Sequence, residues 1–345
     1  MTVESDRNIH LFYIQALRAR AGHVSYSIAN ATATALIKRH PELNLEHIDI
    51  ENTAWARSLF VRLGFTKKQG TTGKVPIPEE VKKEIEITYL HNIVDKVERY
   101  NIPHSLVVNL DQTPLKIIPV SKRTLAPKGE SSVPLVGLTD KRSITATFAT
   151  SLDGKFLPLQ LIYGGKTEKS LPPVIFPESF SLSANEKHYS NETEAKKYMN
   201  EILLPYITGE RERAGVSVDQ EALVIMDVFK GQMTESVQTI LKEHDILMEP
   251  VPPNLTADFQ PQDAHGSTNQ FSKAFFKRKF ANWYSSEVMK QLDAGKEIDT
   301  VDIPLKLSTL KPLHATWIIE LYNHLTSNAG TSVCLKGWQV TGMCS

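Results

Sequence analysis

Residues 221 to 264 read EALVIMDVFKGQMTESVQTILKEHDILMEPVPPNLTADFQPQDA, and few folds accommodate that order of apolar and polar runs. Ala222 to Met226 is an unbroken apolar run, which predicts a strand buried on both faces, with Asp227 delivered at its end. From Gln232 to His244 there is no Gly or Pro, and Val237, Ile240 and Leu241 fall at i, i+3 and i+4, so this stretch predicts a helix. A second apolar run, Ile246 to Val251, is closed by Pro252-Pro253-Asn254, and Asp263 follows that loop. Strand, helix, strand is a βαβ unit, and open α/β sheets place their chemistry at the carboxyl ends of the strands.

A third acid fits the same edge. Leu106 to Leu110 is another apolar run, and it ends in Asp111-Gln112-Thr113. Thirty-five residues separate Asp227 from Asp263. Three converging carboxylates are hard anionic oxygen ligands of the kind that hold Mg²⁺. Two such ions activate a water or 3′-hydroxyl and stabilise the leaving oxygen of a phosphodiester. Asp258 lies in the same loop region, and spacing alone leaves it open as the third acid.

NLDQTPL at 109 to 115, LVIMDVFKGQ at 223 to 232 and VPPNLTADFQPQD at 251 to 263 resemble the three blocks of DDE-superfamily endonucleases. The resemblance is to transposases of the pogo/Tigger kind, whose third acid is Asp. DKRSITATFA at 140 to 149, LPLQLIYGGKT at 157 to 167 and LKPLHATWI at 310 to 318 are similar to the same family, so the likeness runs from about residue 55 to the C-terminus. It implies an α/β fold, a ribonuclease-H-like mixed sheet flanked by helices, preceded by a small helical segment that is part of a helix-turn-helix. It implies catalytic, metal-holding Asp111, Asp227 and Asp263, with the QP-x-D motif favouring Asp263 over Asp258, and two Mg²⁺ or Mn²⁺ ions. It further implies a DNA substrate, a homo-oligomer on DNA and residence in the nucleus. The chain departs from the family at Gln262, where Leu is usual, and over AHGSTNQ after Asp263. Gly266 in the expected helix start costs about 1 kcal/mol against Ala.

The expected organisation is a partial helix-turn-helix over 1–66, a linker over 67–80, a catalytic domain over 81–292 and a helical extension over 293–345. His23 to His40 predicts one helix, stopped by Pro41. A second, capped by Asn52-Thr53 and ended at Gly64, carries Trp55, Leu59, Phe60 and Leu63 on one side and Arg57 and Arg62 off it. WARSLFVRLGF resembles the closing helix of a centromere-protein-B type DNA-binding domain, which makes both arginines candidate DNA contacts; a helix that only packs is the alternative. Pro78 opens a helix to about Tyr100 with a stripe of Leu90, Ile93, Val94 and Val97. Ser143 to Thr150 and Phe156 to Tyr163 predict strands joined by a turn at Asp153-Gly154, and 168 to 192 reads as irregular. Thr193 to Tyr206 reads as a helix over the sheet, and Leu305 to Leu325 as a closing one.

Lys and Arg together number 39, as do Asp and Glu, so DNA contact requires local patches rather than global charge. Lys273, Lys277, Arg278 and Lys279 make such a patch, interleaved with Phe271, Phe275, Phe276, Phe280 and Trp283, and no acid occurs from Ala264 to Ser286. The bland alternative is a solvated amphipathic helix. Lys166 after Gly164-Gly165 is a weaker phosphate candidate, and His265 and His314 read as surface and packing residues. Cys334 and Cys344 fit a reducing compartment, with a bridge between them left open. No apolar stretch is long enough for a membrane span. Two functional readings result: a metal-dependent DNA endonuclease and transposase, or a domesticated, catalytically silent nucleic-acid-binding protein. A host nuclease of the same fold is the third.

Overall fold

The computed structural model describes residues 26, 54–65, 77–119, 142–186, 191–227, 234–297, 300–302 and 304–344. Apart from Tyr26, the helix expected over 23–40 lies outside them, as does most of the linker expected over 67–80. The chain divides into two compact units, Met1–Glu84 and Ile85–Ser345. In the first, helix α1 (Ala54–Arg62) buries Ala56, Leu59 and Phe60, with Tyr26, Trp55 and Leu63 against them. Gly64 follows at φ +71°, the left-handed conformation that ends helices.

Helix α2 (Glu79–Arg99) buries Tyr89 and Ile93. Val94, expected on the same stripe, is 50% exposed, because the buried line follows the i, i+4 pair instead. The sheet that follows is built from β1 (Val107–Lys116), β2 (Ser143–Ser151), β3 (Gln160–Gly164) and β4 (Ser181–Asn185), then β5 (Ala222–Met226) and β6 (Ile246–Pro250). Their order is β4-β3-β2-β1-β5-β6. β1–β2 and β2–β3 are antiparallel; β3–β4, β1–β5 and β5–β6 are parallel. Three antiparallel strands followed by a parallel βαβ is the ribonuclease-H-like arrangement.

Three expectations are corrected. Phe156 to Tyr163 is not one strand: Phe156 makes a single bridge to Thr150, and the ladder restarts at Gln160. Pro158, with no N–H to give, sits in the gap. Residues 168 to 192 are not all irregular, since Ser181–Asn185 is the edge strand β4. The helix expected over 193 to 206 is longer: α3 (Glu192–Tyr198) passes through a π turn, Met199–Leu203, into α4 (Leu204–Ala214).

Period-two alternation assigns the two faces. Gln160 on β3 accepts from Thr147 on β2 and donates to the Glu194 main chain of α3, so α3 covers that face. The opposite face presents Ala146, Phe148, Leu161 and Tyr163 to a different set of helices. After α5 (Glu235–Glu243) and a single turn, α6 (Thr256–Phe259), these are α7 (Thr268–Asp293), α8 (Leu307–Leu325) and α9 (Asn328–Val340). Phe275, Phe276 and Phe280 of α7 pack there with Trp317, Ile318 and Leu321 of α8. β5 is buried along its whole length, as its apolar run requires. Cys334 and Cys344 are both free thiols, Cys334 buried in this core. Among the described residues no helix is long and apolar enough to cross a membrane.

Helix α9 presses on the loop that carries Asp263. A methyl placed on Gly337 would stand 2.0 Å from the Pro261 carbonyl oxygen. Gly337→Ala is therefore expected to cost about 1–3 kcal/mol of stability in urea unfolding, whereas Val340→Ala, 47% exposed on the same helix, stays within about 0.5 kcal/mol.

Candidate active site

Parallel pairing of β1 with β5 sets Leu110 opposite Met226. Asp111 and Asp227 each follow that pair by one residue, so the two carboxylates leave neighbouring strands at one level of the sheet. Asp111 is not a strand end: β1 continues to Lys116 on its β2 side, with Asp111 opposite Phe148. Only the β5 side ends there.

The third acid arrives from a loop fastened by carboxamides. Gln260 Nε2 donates to the Leu110 carbonyl at 3.0 Å. Asn109 accepts from the Gln262 main-chain N–H at 3.0 Å and donates to the Ile225 carbonyl at 2.9 Å. Gln262 Nε2 donates to Thr150 Oγ1, which also accepts from the Trp338 indole, and Gln262 Oε1 accepts from Thr268. The Ser267 hydroxyl closes on the Gln262 carbonyl at 2.6 Å. Gln262 is thus a fully paired buried residue. Gly266 takes φ +80° in the turn before α7 and lies outside the helix, so the expected helix penalty does not arise.

At the centre stands Asn269, in the first turn of α7 and 2% exposed. Its Nδ2 donates to Asp111 Oδ2 and to Asp263 Oδ1, each at 2.8 Å. Burial pushes the Asp111 carboxyl up to about 7, with the negative charges of Asp263 and Asp227 adding to it; the bonds from Asn269 and the Gln112 main chain pull the other way. Among the described residues no group of three His, Cys, Asp or Glu side chains is arranged to hold a metal ion. The structure thus brings Asp111 and Asp263 onto one amide, with Asp227 close enough to be felt as charge. Asp258 is exposed on α6, and His265 is exposed.

Lys273, Lys277 and Arg278 are exposed along α7. Arg278 and Lys279 lie over the Phe275 ring, and Lys279 pairs with Glu320. Arg57 and Arg62 are exposed on α1, Arg57 over the Tyr26 ring and Arg62 bonded to Ser58. Lys166 pairs with Glu186 on the surface at 3.0 Å. Asp153 is a turn former, accepting from Ser151 beside Gly154 at φ +87°. His314 is buried against Phe276, ring centroids 4.7 Å apart, and burial pushes its imidazole down to about 4, so it packs as a neutral ring.

No family model matches the chain. A Homo sapiens pogo transposable element with KRAB domain is 22% identical over 257 residues, 73% of this chain, and its Mus musculus counterpart is 21% identical over 258. The chain is similar to these two pogo transposable element proteins. The chain spans 39% of the length of those two relatives. Among solved structures, a pre-cleavage Mos1 transpososome aligns with 90% of this chain and 81% of its own, at 13% identity and TM-score 0.43. The catalytic domain of Mos1 mariner transposase aligns with 74% and 96%, at 13% identity and TM-score 0.35.

Asn269 was not among the residues singled out from the sequence, and Gln262 stood there as a departure from the family pattern. The available signal was the density of carboxamides from 260 to 270, unusual next to a paired acid.

The Asp111 shift has a pH consequence. Unfolded, this carboxyl titrates near its ordinary 3.8. Between about 4 and 7 the folded chain holds a proton that the unfolded chain has released, so the stability of the metal-free protein falls as pH rises through that window. Urea unfolding across it should show a steeper fall for wild type than for Asp111→Asn; parallel curves would contradict the burial of this charge.

Proposed function

We propose that the chain is a transposon-derived DNA-binding protein whose sheet edge performs metal-dependent phosphodiester cleavage and strand transfer. The observation that carries this reading is the meeting of Asp111 and Asp263 on one buried amide, 2.8 Å to each, with Asp227 at the same sheet level. The donor set fits a divalent cation: the oxygens are hard, and burial disfavours the Asp111 carboxylate, a cost that a cation would relieve. Asp111, Asp227 and Asp263 would hold Mg²⁺ or Mn²⁺, two ions in this reading. Bound there, the metal supplies charge neutralisation at the phosphate and a water of lowered pKa.

The chain's own residues do the rest. Asn109 and Gln262 fix the third acid against β1. Lys273, Lys277, Arg278 and Lys279 give α7 a positive flank for backbone phosphates, and Arg57 and Arg62 offer a second, on α1. A homo-oligomer on DNA and residence in the nucleus belong to the same reading.

A second reading, a domesticated protein that binds DNA without cutting it, is favoured by one observation: among the described residues the acids are not already gathered as a three-carboxylate group. A nicking assay on supercoiled plasmid with Mg²⁺ or Mn²⁺ separates the two. Wild type is expected to nick and Asp227→Asn to lose nicking while keeping its unfolding curve; full Mg²⁺-dependent nicking by the variant would sink the assignment. In both readings Lys273→Ala with Lys277→Ala should weaken DNA binding and flatten its log–log salt dependence by about 0.9 per lost phosphate contact. An unchanged slope would remove α7 from the interface.

A further inference from the structure

Asn269 has no part in the three-acid scheme, yet it touches two of the three acids. Its amide nitrogen lies 2.8 Å from Asp111 Oδ2 and 2.8 Å from Asp263 Oδ1. Its amide oxygen is buried and accepts no hydrogen bond. Burying a carbonyl without a donor is unfavourable, so a residue held this way has an unused ligand atom beside two carboxylates.

The distances give that atom a use. An octahedral Mg²⁺ with bonds of about 2.0–2.1 Å sets neighbouring ligand oxygens about 2.9 Å apart. The Asn269 amide nitrogen occupies a point at that spacing from both carboxylates. Turning the side-chain amide over exchanges nitrogen for oxygen at nearly the same point. Without a cation, an amide oxygen at that point repels both carboxylates; around a cation, it stands at ligand spacing from each of them.

We propose that Asn269 is a metal-site residue that works in two positions. In the metal-free chain its N–H₂ bridges Asp111 and Asp263 and keeps the two acids together. When a divalent cation enters, the amide turns over and its oxygen becomes a neutral ligand beside the two carboxylates. The inference deepens the proposed metal reading and rests on it.

The test is titration calorimetry of the full chain with Mn²⁺ alone, on wild type, Asn269→Leu and Asn269→Asp, with thermal unfolding of each in chelator. Leu fills similar volume and offers no oxygen, so N269L should bind Mn²⁺ at least tenfold more weakly. Asp keeps an oxygen at the same place, so N269D should retain saturable binding at wild-type strength or tighter. A wild-type Kd in N269L, or loss in N269D as well as in N269L, would overturn the proposal while leaving the metal reading standing. No saturable binding in wild type would overturn both.

Discussion

Two carboxyl groups sit on either side of one amide nitrogen, and the sheet edge where β5 stops beside β1 is arranged to keep them there. Asp111 belongs to the central strand β1, where the position is fixed by ladders on both sides up to Leu110. Asp263 belongs to a loop with no ladder of its own. It is held because Asn109, Gln260 and Gln262 hydrogen-bond across to β1, β2 and β5. Gln260 takes the Leu110 carbonyl at the point where β5 stops, so one side chain both satisfies a strand end and fastens the loop. These groups are buried, so each bond lost would leave an unpaired partner rather than a hydrated one.

The aromatic layer behind the loop has the same purpose. The Trp338 indole on α9 and Gln262 share Thr150 Oγ1, which ties the C-terminal helices to the loop that carries the third acid. Gly337 lets α9 approach the Pro261 carbonyl closely. The helices after residue 293 thus brace the site as well as closing the core. What this framework surrounds is a carboxyl at Asp111 that burial and the neighbouring acids push up to about 7.

The parts legible in the sequence share a physical signature. β5, α5 and β6 were readable because an apolar run buried on both faces and a clean helical stripe leave little ambiguity. β2 alternated because one face meets aromatics and the other meets Gln160. β4 was missed because Ser181–Asn185 is a polar edge strand paired on one side only, so nothing in its pattern demands burial. Of the site, the acids were visible because each follows an apolar run or a Pro-rich loop. Asn269 was not, because a single amide at a helix start has no periodicity. Its importance depends on two partners, one of them 158 residues away.

The central claim is that Asp111 and Asp263, braced by buried amides, form one cation site at the end of β1. Anomalous diffraction at the manganese edge, from crystals of the full chain grown with Mn²⁺, tests it most directly. The account predicts a peak within coordination distance of both the Asp111 and Asp263 carboxylates, beside the Asn269 side chain. A well-ordered site with no peak there, or manganese bound only elsewhere, would contradict it.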